Sequence, residues 1–146
     1  MQQKRMWMRY LPIGISIFLF LCISCKKTDY QVKSKWIYIN ETSHNITYSP
    51  DYWSKFNVNP HDTIIYFEEG DGSKEITENS FVSPLRPEII IYDGIKCDSL
   101  KVGDKPYLGD GPLGMSNYAN KKLGERYYEF TYRFTEEMFN NAKNCH

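Results

Sequence analysis

The chain has 146 residues, 18 Lys and Arg against 18 Asp and Glu, and a formal net charge of +0. Its 16% aromatic and 25% charged residues suit a folded domain and exclude a disordered chain. Setting aside the first 24 residues, which carry Lys4, Arg5 and Arg9 and no acid, leaves 122 residues with 15 basic against 18 acidic side chains. That is room for one domain with a modest core, and its acidic balance argues against nucleic-acid binding, which needs a basic face.

The N-terminus reads as an address. Lys4, Arg5 and Arg9 form a positive n-region, followed by Leu11-Pro12-Ile13-Gly14-Ile15-Ser16-Ile17-Phe18-Leu19-Phe20-Leu21. This apolar run is too short for a spanning helix, which needs roughly 20 residues, and suits a secretory h-region. Ser24-Cys25 closes it in a way that resembles the lipobox of bacterial lipoproteins, in which cleavage precedes a cysteine that becomes acylated. The resemblance implies a signal peptide at 1–24 and a lipid on Cys25. The position three before that cysteine, usually Leu, is Cys22 here. The other reading of the segment is an uncleaved anchor. Several acyl chains hold a protein stably, since each buried CH₂ contributes about 0.8 kcal/mol. Residues 25–35, with Lys26, Lys27, Lys33 and Lys35, read as the lipidated Cys and a polar tether, and 36–146 as a single domain.

Trp36-Ile37-Tyr38-Ile39-Asn40 and His44-Asn45-Ile46-Thr47-Tyr48 read as a hairpin of two short strands. Thr63-Ile64-Ile65-Tyr66-Phe67 is apolar on both faces, which predicts a central strand, and Glu68-Glu69-Gly70-Asp71-Gly72-Ser73 reads as a turn. Ile76, Phe81 and Val82 suit an edge strand. Glu88-Ile89-Ile90-Ile91-Tyr92, Asp93-Gly94 and Ile95-Lys96-Cys97-Asp98-Ser99-Leu100 have the pattern of a hairpin with a type I′ turn. Residues 103–120, with Gly103, Gly109, Gly111, Gly114, Pro106 and Pro112, form a long loop of the kind that carries function. Tyr128, Phe130, Tyr132 and Phe134 alternate with Glu129, Thr131 and Arg133, the period of a half-buried antiparallel strand. Thr135 then reads as an N-cap, with Glu136 and Glu137 in the first turn of a short terminal helix. The expected fold is all-β, an Ig-like antiparallel β-sandwich with one short C-terminal helix.

Asn117-Tyr118, the alternating segment from Tyr127 to Phe134, and Thr135-Glu136-Glu137-Met138-Phe139-Asn140-Asn141-Ala142 together resemble the ending of small lipoproteins of Bacteroidetes that have no assigned function. The resemblance implies a β-rich domain lipid-anchored in the bacterial cell envelope, at the outer membrane. The same group is O-glycosylated at Asp-Ser/Thr-aliphatic triplets, which makes Thr63 in Asp62-Thr63-Ile64 and Ser99 in Asp98-Ser99-Leu100 candidates. Asn40-Glu41-Thr42 and Asn45-Ile46-Thr47 match the N-glycosylation sequon, which a bacterial lipoprotein is not expected to use.

With Cys22 in the signal and Cys25 acylated, Cys97 and Cys145 remain, and a compartment beyond the inner membrane permits a disulfide between them. No catalytic site, metal site or cofactor is expected: His44, His61 and His146 lie apart, and no nucleophile elbow or zinc spacing is present. Tyr52, Trp53, Tyr107 and Tyr118 fall in the two loops richest in aromatics and are the candidate ligand surface. The expected function is therefore a non-enzymatic binding module for a glycan or protein of the envelope. The alternative is an inhibitor or immunity-type lipoprotein that blocks an envelope-targeting enzyme or toxin. If Cys25 carries the lipid, Cys25→Ala abolishes metabolic labelling of the chain with a fatty acid; retained labelling would remove the assignment.

Overall fold

The structure, a computed structural model, describes residues 30–49, 56–105 and 108–145. Its elements in chain order are β1 (Tyr30–Asn40), β2 (Ile46–Ser49), β3 (Asn57–Val58), β4 (Thr63–Gly72), β5 (Ile89–Tyr92), β6 (Lys96–Ser99), β7 (Ala119–Gly124), β8 (Tyr127–Phe134), α1 (Glu136–Asn141) and β9 (Lys143–Asn144). They form two sheets, of order β4-β1-β8-β7 and β3-β2-β5-β6-β9, with one short helix. The fold is an all-β sandwich. Among the described residues no helix is long and apolar enough to cross a membrane.

Strict alternation builds the core. Every second residue of β1 from Val32 to Asn40 is buried, as are Tyr128, Phe130, Tyr132 and Phe134 of β8. Ile46, Val58, Ile90 and Tyr92 face them from the second sheet. The aromatic side chains meet in preferred geometries: Trp36 stacks on Phe130 at 4.6 Å, and Tyr132 meets Phe134 edge-on at 4.9 Å. Trp36 is fully buried, so its indole N–H needs an acceptor; it donates to Ser34 Oγ and Glu68 Oε2, both at 2.9 Å.

Four expectations are corrected. The first sheet is not wholly antiparallel, because β1 and β8 run parallel, with Trp36 opposite Phe130 and Tyr38 opposite Tyr132. β1 begins at Tyr30, so residues 30–35 are strand and not tether. Their lysines look like linker in sequence, but Lys33 pairs with Glu69 and Lys35 with Glu129, each at 2.7 Å. The segments around Tyr38 and Tyr48 form no hairpin: β1 belongs to one sheet and β2 to the other. β4 is an edge strand of ten residues instead of a central one, and it absorbs the acidic stretch read as a turn. In addition, Ile76, Phe81 and Val82 lie in no strand; a 3₁₀ turn at Glu78–Ser80 precedes Phe81, which plugs the core against Tyr128 and Phe130.

Other readings hold. β5 and β6 pair across Asp93-Gly94, whose φ values of 51° and 70° are those of a type I′ turn. The helix follows Thr135, although it has only six residues. Cys97 and Cys145 are bonded, with Cα atoms 5.1 Å apart and a sequence separation of 48. The bridge ties the C-terminal tail to β6, and closure of a loop of that length contributes about 4 kcal/mol in the chain-entropy picture.

The sheets are joined at one end by Asn40. This fully buried side chain donates from Nδ2 to the carbonyls of His44 (2.7 Å), Val58 (3.0 Å) and Asn59 (2.9 Å). Its Oδ1 accepts from Thr42 N–H (2.9 Å) and Thr42 Oγ (2.7 Å). Asn40→Ala orphans several buried groups at once, each worth roughly 1–3 kcal/mol. It should lower the unfolding free energy in urea by about 3 kcal/mol or more. A loss below about 1 kcal/mol would mean that apolar packing alone joins the sheets there.

Candidate functional site

Residues 100–105 and 108–118 are held by a set of local hydrogen bonds. Leu100 N–H reaches Glu88 O at 2.8 Å, and Asp110 accepts Lys101 N–H at 3.1 Å while its own N–H donates to Lys101 O at 3.0 Å. Gly111 has φ of 52°, a left-handed turn that suits glycine. Asn117 Nδ2 clamps the carbonyls of Gly109 (2.9 Å) and Gly111 (2.8 Å), and Tyr118 Oη donates to Pro112 O at 2.9 Å. The loop is thus held from within by the Asn-Tyr pair.

Tyr118 is consequently a core residue, 5% exposed, and does not present its ring to a ligand. It meets Trp36 edge-on at 5.6 Å, and its hydroxyl lies 2.9 Å from Ser83 Oγ and 3.3 Å from Tyr38 Oη. Burial pushes the Tyr118 hydroxyl up to about 12 and raises Tyr38 well above the ordinary tyrosine value, so both stay protonated. The network is a buried polar staple linking β1, the segment after the 3₁₀ turn, and the loop. Tyr52, Trp53, Tyr107 and Cys25 lie outside the described residues. Thr63 and Ser99 are both exposed, on β4 and β6.

Two hollows flank Val82. One, of about 430 Å³, is lined among others by Val32, Ser34, Glu68, Asp71, Ser80 and Phe81. Its carboxylate Glu68 is oriented by the Trp36 indole. The second, of about 220 Å³, lies on the glycine-rich loop between Leu85, Arg86, Val102, Asp104, Leu108 and Leu113. Its rim is apolar and solvent-facing: Val102 is 81% exposed, Leu108 48% and Val82 41%. Arg86 is exposed beside it and has no ion-pair partner among the described residues. The sequence signal for this cleft was the loop itself; the aliphatic side chains that line it were not singled out.

A third cluster went unread in the sequence because its members are far apart in the chain. His44 Nδ1 donates to Asp93 Oδ2 at 2.6 Å, since an ionised carboxylate can only accept. The imidazole stacks on Phe139 at 3.5 Å, and its Nε2 lies 3.7 Å from Glu136 Oε2. Glu136 Oε1 accepts Ser43 N–H at 2.7 Å, and Lys96 donates to the carbonyls of Phe139 and Asn140 at the helix end. These contacts dock α1 onto the loops after β1 and β5. Among the described residues no group of three or more His, Cys, Asp or Glu is placed to hold a metal ion. At the loop base, Asp98 is raised from the ordinary carboxylate value, first by burial and then by the Asp110 carboxylate.

No protein-family model, curated protein or solved structure matches the chain.

The docking cluster makes stability depend on pH. The hydrogen bond from His44 and the Asn45 N–H hold the Asp93 carboxyl below 3.8, and the Ser43 N–H holds Glu136 below 4.5. A carboxyl lowered by folding stabilises the fold above its unfolded value, and the gain fades as pH falls through the folded value. The melting temperature of wild type should therefore exceed that of Asp93→Asn at pH 6. The gap should close as pH drops below about 4. A pH-independent gap would show that the carboxylate charge is not what matters.

Proposed function

We propose that this chain is a lipid-anchored binding module of the bacterial cell envelope, tethered through Cys25, that recognises a protein partner at the apolar cleft of its glycine-rich loop. The observation that carries the reading is the exposure of Val82, Val102 and Leu108 around a cleft whose backbone is clamped by Asn117 and Tyr118. Exposed aliphatic side chains grouped around a concave cleft mark an interaction surface, and a rigid loop loses little entropy on binding. The chemistry suits a partner segment that inserts an aliphatic side chain and sets a carboxylate against Arg86. An inhibitor or immunity-type protein would use the same surface against an incoming enzyme or toxin.

The anchor limits the reach. Cys25 and Tyr30 are separated by five residue steps, at most roughly 17 Å of extended chain, so the partner must be met close to the membrane surface. A second reading, glycan recognition, is favoured by the other hollow, where Ser34, Ser80, Glu68 and Asp71 would accept or donate to sugar hydroxyls.

A photo-cross-linking residue in place of Leu108, in the envelope of cells producing the chain, should give one discrete protein adduct that Arg86→Glu removes. The same residue in place of Lys121 on β7 should give none. Absence of an adduct at 108, with soluble-glycan binding that Glu68→Gln weakens, would replace the protein reading by the glycan one.

A further inference from the structure

Sheet edges normally carry a guard against pairing with another chain. Three of the four edges here comply. β3 and β9 have two residues each, and β7 presents Lys121 and Lys122 and carries an irregularity between Lys122 and Gly124. β4 does not comply. It has ten residues, no proline and no lysine, and no neighbour on its outer side among the described residues. Ile65 and Phe67 on its outward face are 47% and 67% exposed, beside Ile37 of β1. Its segment Ile64 to Phe67 is apolar on both faces, so the open edge there runs beside exposed apolar side chains.

The hydrogen-bond parity of this edge follows from β1. Asn40 N–H donates to Asp62 O at 2.9 Å, while Lys33 and Glu41 N–H donate towards β8. Even-numbered residues of β4 therefore turn their N–H and C=O to β1, and Thr63, Ile65, Phe67, Glu69 and Asp71 turn theirs to the open side. An antiparallel copy of the same strand can pair only in registers that match odd residues with odd ones. A two-fold axis at Ile65 would set Glu68 against Asp62 of the other copy, and one at Phe67 would set Glu69 against Ile65. An axis at Tyr66 avoids both. It pairs Ile65 with Phe67, Thr63 with Glu69 and His61 with Asp71, and puts no like charges opposite one another. Thr63 N–H is already taken by Asp62 Oδ1 at 2.7 Å, so in this register its carbonyl alone accepts.

We infer that β4 pairs with β4 of a second copy of this chain, antiparallel about an axis at Tyr66, making one continuous eight-stranded sheet with Ile65 and Phe67 of both copies side by side. The inference is independent of the partner proposed for the loop cleft, which lies on other residues.

The register is tested with the full chain in the envelope of producing cells. Residues in a hydrogen-bonded antiparallel pair have Cα atoms about 5.5 Å apart, within disulfide reach. Co-production of Ile65→Cys and Phe67→Cys chains bearing different tags should give a disulfide-linked dimer containing both tags. Either variant alone should give no more than wild type. In detergent, wild type should sediment as a dimer. Ile65→Pro removes an N–H on the open side without touching the β1 ladder, and should weaken association by about tenfold or more while keeping a cooperative melt. If that variant does not fold, Phe67→Glu serves the same purpose on an exposed side chain. Wild type sedimenting as a monomer at its highest soluble concentration, or a tag-mixed link that forms equally with unpaired positions, overturns the inference. So does a link from position 65 to a different protein.

Discussion

The carboxamide of Asn40 is the joint on which the sandwich depends. A sandwich whose sheets meet only through side-chain packing leaves their relative position to the shape of the core. Here a single buried amide, at the end of the longest strand, binds the carbonyls of Val58 and Asn59 from the chain leaving β3 and that of His44 from the approach to β2. Thr42 occupies its oxygen and turns the chain from one sheet towards the other. The sequon that Asn40 opens is therefore closed to modification in the folded state, because the side chain is buried and its hydrogen-bonding groups are engaged.

Further along β1, polar atoms in the core are handled by the same principle with different groups. Trp36 and Tyr118 bring aromatic area, and each also brings a polar group that burial would leave costly without a partner. Ser34 and Glu68 satisfy the first; Ser83, Tyr38 and Pro112 satisfy the second. The consequence for function is indirect. The apolar cleft is shaped by residues that never touch it, because the hydroxyl of Tyr118 and the amide of Asn117 fix the backbone from behind.

Legibility in the sequence followed the range of the interaction. β8, the Asp93-Gly94 turn and the helix start at Thr135 are specified by residues within a few positions of one another, and periodicity or turn chemistry exposes them. The onset of β1 is not of this kind. Lys33 and Lys35 belong to a strand because β4 and β8 pair with it from far along the chain, which brings Glu69 and Glu129, 36 and 94 residues away, beside them, and no local rule contains those partners. The same holds for His44 with Asp93, and for Tyr118, whose glycine-rich surroundings suggest a surface loop while Ser83 and Tyr38 draw it inward. β4 was legible as a strand, but its place at an edge was not, since Ile64 to Phe67 are apolar on both faces as in a covered strand while the folded strand leaves most of its residues exposed.

The direction of β1 has a mechanical consequence. A lipid near residue 25 would apply any load to the domain at Tyr30, along the axis of the strand. β1 is the longest strand and is hydrogen-bonded on both sides, to β4 and to β8, and the Arg126 guanidinium covers the Tyr30 ring at 4.0 Å. A pull there shears two ladders together instead of unzipping one bond at a time. Resistance to such a load is set by the barrier to rupture and not by equilibrium stability. The far end of the chain is held by a covalent bridge to the opposite sheet. A load applied at Tyr30 would thus meet the two ladders of β1 first, with the C-terminal segment held independently by the bridge.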